Sequence, residues 1–361
     1  MPPDLAERIE HAYATGAADE ALIDALIDAL ESGQARAAEP DPSSPTGWRV
    51  NAWVKQGILL GFRLGTLTPM AWGGVEFLDR HLYPPRAFTL ADGVRLVPGG
   101  TSIRRGACIR PGVVVMPPTY VNVGAYVGEN TMLDSHVLVG SCAQIGARVH
   151  LSAGCQIGGV LEPVGASPVI VEDDAFVGGC TGLFEGVVVK RGAVIGAGVM
   201  LTRATPLYDL VNERVLRAEG DLPLIVPENA VVVVGSRPSS APFAQRHGIH
   251  LYAPVIVEDD AFVGGCTGLF EGVIVKRGAV IGAGVMLTRA TPLYDLVNER
   301  ILRAEVDLPL IVPENAVVVA GSRPSSAPFA QQYGIHLYAP VIVKYRDART
   351  DAATALEETL R

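Results

Sequence analysis

Aromatic residues make up only 6% of this 361-residue chain and charged residues only 19%. No apolar run approaches the ~20 residues needed to span a bilayer. With 49% hydrophobic residues, so little charge excludes a disordered chain. Basic residues are the minority, 29 against 38 acidic, a net charge of −9 that argues against a nucleic-acid surface. Neither nucleic acid nor membrane is expected as a partner. The five cysteines, Cys108, Cys142, Cys155, Cys180 and Cys266, contain no CxxC pair. Asp4, Glu7 and Glu10 among alanines read as a helix and not as a secretory core, so reduced thiols in a cytoplasmic protein are expected. What abounds is glycine, 40 residues, and proline, 26. The glycines do not recur at every third position, which excludes collagen and leaves a turn-rich fold with a core of small and β-branched residues.

Two repeats organise the chain. The segment 168–253 recurs at 254–339, an offset of 86 residues with only six differences: Val188/Ile274, Val215/Ile301, Gly220/Val306, Val234/Ala320, Arg246/Gln332 and His247/Tyr333. PVIV stands at 168, 254 and 340, marking both junctions, and removing one copy leaves 275 residues. Beneath this lies a spacing of six: Val97, Ile103, Ile109, Val115, Val121, Val127, Leu133, Val139, Ile145, Leu151 and Ile157. Four residues after each stands a small or β-branched residue, from Thr101 to Cys155, with Leu161 closing the series. A period of six fits neither a helical face nor strand alternation, and it does fit a parallel β-helix. Each hexad forms one short side of a triangular coil, the aliphatic residue points inward, and successive coils hydrogen-bond at ~4.8 Å. After an interruption at 158–168 the phase resumes at Val171 and runs to Leu201, and in the second copy from Val257 to Leu287.

Ahead of the coils, residues 3–32 read as helix with apolar faces broken near Gly16, 37–47 as a turn, and Trp48 to Leu64 as a further helix.

The stretches NAWVKQGILLGFR (51–63), MPPTYVNVGAYVGENTMLDSHVLVGSCAQIGARVHLSAG (116–154), IGGVLEP (157–163), VPENAVVVVGSRPSS (226–240) and HLYAPVIVKYRDART (336–350) resemble the tetrahydrodipicolinate N-succinyltransferases. The resemblance implies a mainly β fold, a left-handed parallel β-helix with an N-terminal α-helical domain and a short C-terminal tail. The expected division is 1–92 helical, 93–253 β-helix including the first copy, 254–339 extra coils from the second copy, and 340–361 a strand with a helical tail. It also implies succinyl transfer from succinyl-CoA to the amine of the ring-opened substrate. Succinyl-CoA would be a cosubstrate with no permanently bound cofactor or metal, and active sites would lie between the chains of a homotrimer.

Such a reaction needs a base for the attacking amine, donors for the tetrahedral oxyanion and cations for two carboxylates. By resemblance, Arg95 binds substrate and Asp134 contacts the amine as its base. From the residues alone, an entry-coil ion pair and a solvated corner carboxylate are the alternatives. Family members carry two glutamates three residues apart where this chain has Gly182 and Glu185, so Glu185 is the second catalytic candidate, with Gly268 and Glu271 repeating the pattern. A turn residue before glycine explains Glu185 equally well. For CoA phosphates the candidates are Arg237 and Ser239 with their copies Arg323 and Ser325. Lys190, Arg191 and Arg203, with their copies Lys276, Arg277 and Arg289, are further candidates, of which Lys190 and Arg191 read rather as solvated corners. His136 and His150 sit in coils, where other hexapeptide acyltransferases place a histidine base. That chemistry, and a catalytically inactive scaffold, are the competing readings. A zinc site of the γ-carbonic-anhydrase kind would need three coil histidines, and the first block has two.

Overall fold

The computed structural model describes residues 4–72, 74–209, 214–232, 235–238, 250–251, 268–269, 273–276, 279–282, 284–305 and 308–346. By their contacts they form two units, the first holding residues 1–195, 199–208 and 215–232 and the second the remainder.

The first unit opens with helices α1 (Leu5–Thr15), α2 (Glu20–Glu31) and α3 (Ala52–Leu64). Gly16 ends α1 in the left-handed region at φ 74°, and the Asp19 side chain caps α2 by accepting from the Leu22 N–H at 2.8 Å. Leu5, Ile9, Ile23, Leu26, Ile27, Val54 and Ile58 form their common core, which also takes in Val123 and Cys142 of the coils. Trp48–Val50 is not helical as the sequence suggests. It pairs antiparallel with Ala38–Pro40, and α3 begins only after Asn51. A second hairpin, Leu67–Trp72 with Val75–Arg80, follows α3.

The coils then run as two-residue strands in three parallel sheets, every third strand joining the same sheet. The first sheet contains Cys108–Ile109, Tyr126–Val127, Gln144–Ile145, Ile170–Val171, Val188–Val189 and Ile225–Val226. The second runs Arg95–Leu96, Val114–Val115, Met132–Leu133, His150–Leu151, Phe176–Val177, Val194–Ile195 and Val231–Val232. The third runs Ser102–Ile103, Tyr120–Val121, Leu138–Val139, Gln156–Ile157, Gly182–Leu183 and Met200–Leu201. From Ile103 to Leu201 the second residue of each strand is the hexad aliphatic, and every one is buried. Fully burying such a side chain contributes ~1.5–3 kcal/mol, so the repeated stack carries most of the solenoid's stability. Small residues fill the other series, and Thr119 and Thr131 satisfy their buried hydroxyls by donating to main-chain carbonyls.

The first turn departs from the period. Leu96, not Val97, stands opposite Val115, because the Gly99–Gly100 turn holds one residue more than a hexad. Arg95–Leu96 is the end strand of its sheet, with a rung on one side only, and Leu96 is left 37% exposed. The ladder crosses the 158–168 interruption intact, Ile145 pairing with Val171 and Ile157 with Leu183. At Gly140 a Cβ would stand 2.1 Å from the Gly159 nitrogen, so glycine is what lets this loop close on the coil. After the 202–224 excursion the coil resumes, Val226 opposite Val189 and Val232 opposite Ile195.

In the second unit, Gly268–Leu269 pairs with Met286–Leu287, Ile274–Val275 with Ile311–Val312, and Val280–Ile281 with Val317–Val318. Each register is that of the first copy advanced by 86 residues. Residues 254–267, the opening hexads of the second copy, lie outside the described residues, as does the tail from 347. The third PVIV is no coil rung. Val341–Tyr345 runs antiparallel to Ala316–Val319 and parallel to Leu293–Asp295. Gly235–Pro238 with His250–Leu251, and Ser322–Pro324 with His336–Tyr338, pair in the same register. They join into one four-stranded sheet through Gly235 opposite Leu337.

Candidate active site on the second face of the coils

The outward side of the first sheet is covered. Cys108, Gln144, Ile170 and Val188 are buried, with Ala38 and Trp48 packed over Ile170 and Val188. Arg36 lies over the Tyr126 ring at 3.7 Å and donates from Nε to Gln144 Oε1 at 2.9 Å. The other two sheets keep apolar side chains in the open. Phe176 is 41% and Val194 36% exposed on the second, and Met200 39% on the third.

Asp134 directly follows the Met132–Leu133 rung of the second sheet. Its Oδ1 accepts the Ser135 N–H at 2.8 Å, which fixes the carboxylate at the corner. The side chain remains 35% exposed. Arg95 lies on the same sheet two rungs away, its ladder passing through Val114 to Met132, and it is exposed. The structure therefore places these two predicted residues on one open face. Between Met132 and Phe176 on that ladder stands His150, with Nε2 4.0 Å from Asp134 Oδ2 and its ring edge-on to Phe176 at 5.1 Å. Hexad counting stacks His150 on Met132, 18 residues on, but does not give the approach of its ring to Asp134.

Glu185 follows Gly182–Leu183 on the third sheet, away from the Asp134 face. It is exposed, holds φ 54°, and accepts the Arg203 N–H at 3.1 Å. A Cβ on Gly182 would meet Phe184 at 2.5 Å and the Met200 methyl at 2.6 Å, so those two side chains occupy the space a glutamate would need. Glu271 lies outside the described residues.

His136 is a corner residue at φ 63°, its N–H donated to Pro118 O at 2.7 Å. Lys190 donates to Glu172 at 2.7 Å and to Thr46 O. Arg191 and Arg148 both pair with Asp174, holding its carboxyl at about 2. Arg203 donates to the carbonyls of Gly220 and Asp221. Three cations suggested by the sequence are thus engaged within the chain. Arg289 likewise donates to Glu305 O at 3.0 Å, whereas Lys276 is exposed. Arg323 is exposed on its strand, and buried Ser325 accepts the Ala327 N–H at 3.2 Å. Arg237 falls in the paired copy of that strand, and Ser239 and Arg277 lie outside the described residues. Burial pushes the Cys142 and Cys155 thiols up to about 12, which removes them as nucleophiles at neutral pH. Among the described residues no three His, Cys, Asp or Glu gather as a metal site.

A profile described as "Tetrahydrodipicolinate N-succinyltransferase N-terminal" matches residues 4–64. One described as "Hexapeptide repeat of succinyl-transferase" matches 168–203 and again 254–289. The chain is 41% identical over 243 residues to the 2,3,4,5-tetrahydropyridine-2,6-dicarboxylate N-succinyltransferase of Afipia carboxidovorans, covering 65% of this chain and 83% of that one. For the Xylella fastidiosa protein of the same name the figures are 43%, 65% and 81%, and for that of Idiomarina loihiensis 43%, 64% and 81%.

Proposed function

Since the chain belongs to the tetrahydrodipicolinate N-succinyltransferase family, we propose that it moves succinyl from succinyl-CoA to the amino group of ring-opened tetrahydrodipicolinate, a 2-amino-6-oxopimelate, in the diaminopimelate route to lysine. The amine nitrogen attacks the thioester carbon, an N–C bond forms, the C–S bond breaks, and CoA leaves as a thiolate that takes up a proton from solvent. Asp134 takes the proton from the amine, and no protein nucleophile is required because the thioester already carries a good leaving group. Arg95 meets a substrate carboxylate. The observation that carries this assignment is the Asp134 carboxylate itself, one oxygen fixed by Ser135 and the side chain open to the face that also holds Arg95.

The solenoid winds left-handed and three chains associate, the second face of one against the third face of the next. Two uncovered apolar faces per chain support this arrangement, since a threefold ring uses two different surfaces of each protomer. It would bring Glu185 of one protomer toward Asp134 of its neighbour, which a single chain presents on different sheets. The GSRPSS segments, with Arg237, Ser239, Arg323 and Ser325, take the CoA phosphates. No helix among the described residues is long and apolar enough to cross a membrane, and Cys108, Cys142 and Cys155 are buried free thiols. A reduced cytoplasmic setting accords with both.

The test is thiol release from succinyl-CoA in the presence and absence of tetrahydrodipicolinate. Asp134→Asn keeps an acceptor for the Ser135 N–H, so it should fold, and it should lose ~10²–10⁴-fold in kcat. Amine-dependent release that survives the substitution would remove Asp134 from the mechanism.

A further inference from the structure

His150 has the one buried imidazole nitrogen among the described residues that makes no hydrogen bond: its Nε2 is shielded and unpaired, although the side chain is 42% exposed overall. Buried polar atoms are nearly always satisfied, so an orphan beside a proposed catalytic carboxylate calls for a reason. Asp134 Oδ2 lies 4.0 Å from it. That is too far for a hydrogen bond, which forms at ~2.9 Å, yet a shift of about 1 Å closes it. The ring is held between neighbouring rungs, with Met132 before it, Phe176 edge-on after it and ring planes at 67°. That packing keeps Nε2 turned toward Asp134.

A carboxylate offers about four lone-pair sites. On Asp134 one is taken by Ser135 on Oδ1. A donor on the coil side of Oδ2 would leave the outward lone pairs for the amine and stop the group from rotating.

We infer that His150 is a positioning residue: it donates its Nε2–H to Asp134 Oδ2 as the amine substrate binds, and so holds the base in its working orientation. This rests on the reading of Asp134 as the base. His150 does not itself take the proton from the amine, since the nitrogen it turns toward the site is covered.

The test uses wild type, His150→Leu, His150→Gln and the double variant Asp134→Asn/His150→Leu, each assayed for amine-dependent thiol release from succinyl-CoA. Leucine keeps the packing against Phe176 without a donor, while glutamine restores an N–H at similar reach. His150→Leu should lose ~10–100-fold in kcat, the scale of a base misplaced by about 1 Å, while KM for both substrates changes less than about twofold. His150→Gln should recover most of the rate, and the double variant should be no slower than Asp134→Asn alone. A wild-type kcat in His150→Leu, an equal loss in the glutamine variant, or additive losses in the double variant would each overturn the inference while leaving the transferase intact. Wild type without amine-dependent release would remove the transferase reading itself, and this one with it.

Discussion

Removing one hydroxyl, in Tyr345→Phe, isolates the contact that closes the last strand on the second unit. Asp295 is 1% exposed, and its Oδ2 accepts from Tyr345 Oη at 2.7 Å and from Asn298 Nδ2 and Arg300 Nε at 2.9 Å each. Its Oδ1 takes the Asn298 N–H at 3.1 Å. Burial works to raise the carboxyl's pKa, but the bonds from Asn298, Tyr345 and Arg300 overcome it and hold it at about 2, against an ordinary 3.8. A hydrogen bond to a charged group contributes ~1.5–3 kcal/mol, and the low end applies because two donors remain on the same oxygen. A loss of ~1.5 kcal/mol at neutral pH divides by a urea slope of ~1–3 kcal/mol/M to give a midpoint lower by roughly 0.5–1.5 M. The folded carboxyl titrates below the unfolded one, so its stabilisation is complete above about pH 4 and lost as pH falls through about 2. With a donor missing the folded carboxyl titrates closer to the unfolded one, so its smaller contribution should be exhausted at a higher pH. The tryptophans, Trp48, Trp53 and Trp72, all belong to the first unit, so their fluorescence reports that unit alone while far-UV circular dichroism reports both. The fluorescence midpoint should stay put and the dichroism transition should broaden toward lower urea. Coincident, wild-type transitions at pH 7 and at pH 3.5 would refute the reasoning.

If the first copy supplies the second acid, Glu185→Gln should lower thiol release from succinyl-CoA while Glu271→Gln leaves it unchanged, and the reverse pattern would exclude it. Gly182→Ala should destabilise by ~1–3 kcal/mol in urea, because the new methyl meets Phe184 and Met200, and an unaltered midpoint would mean that both side chains move freely. In native protein at pH 8 an alkylating reagent should spare Cys142 and Cys155, whose thiols titrate near 12, and label them only in denaturant. Peptide mass spectrometry reads this directly, and labelling of either in the folded chain would contradict their burial.

The coil register was legible in the sequence because each hexad returns a side chain to the same place in the triangle, so Ile103 to Leu201 could be assigned by counting. Counting fails where a turn changes length, and the extra residue at Gly99–Gly100 moved the residue opposite Val115 from Val97 to Leu96. It also stops at long excursions, although Val226 and Val232 keep the same six-residue spacing and mark the resumption. The strand Trp48–Val50 was hidden because its partner, Ala38–Pro40, is set by pairing and not by local preference. The hairpin 67–80 did leave a signal, Gly73–Gly74 between two apolar arms, that the helical reading of the N-terminal region passed over. Of the candidate site, residue identity pointed to Asp134 and Arg95. The approach of His150 depends on stacking between coils, which no local pattern encodes.

Because the two copies reproduce the same rung registers, both can compete for one edge of the solenoid during folding. From Ile157, reaching the rung at Val171 needs a connection of 13 residues (158–170), and reaching its copy at Val257 needs 99 (158–256). Closing the longer loop costs about three doublings of length, ~2 kcal/mol, which favours the first copy only about thirtyfold. One further discriminator lies in the core. Val188 is fully buried beside Ala38 and Ile170, and its counterpart is Ile274, whose extra methylene would overpack that space by ~1–3 kcal/mol. A single methylene thus reinforces which of two nearly identical segments the chain lays onto its coils. Val188→Ile should remove this core term and leave only the roughly thirtyfold loop preference. The peptide spanning this site should then show a minor unprotected hydrogen-exchange population of ~3%, and its absence would show that loop closure discriminates more strongly than this.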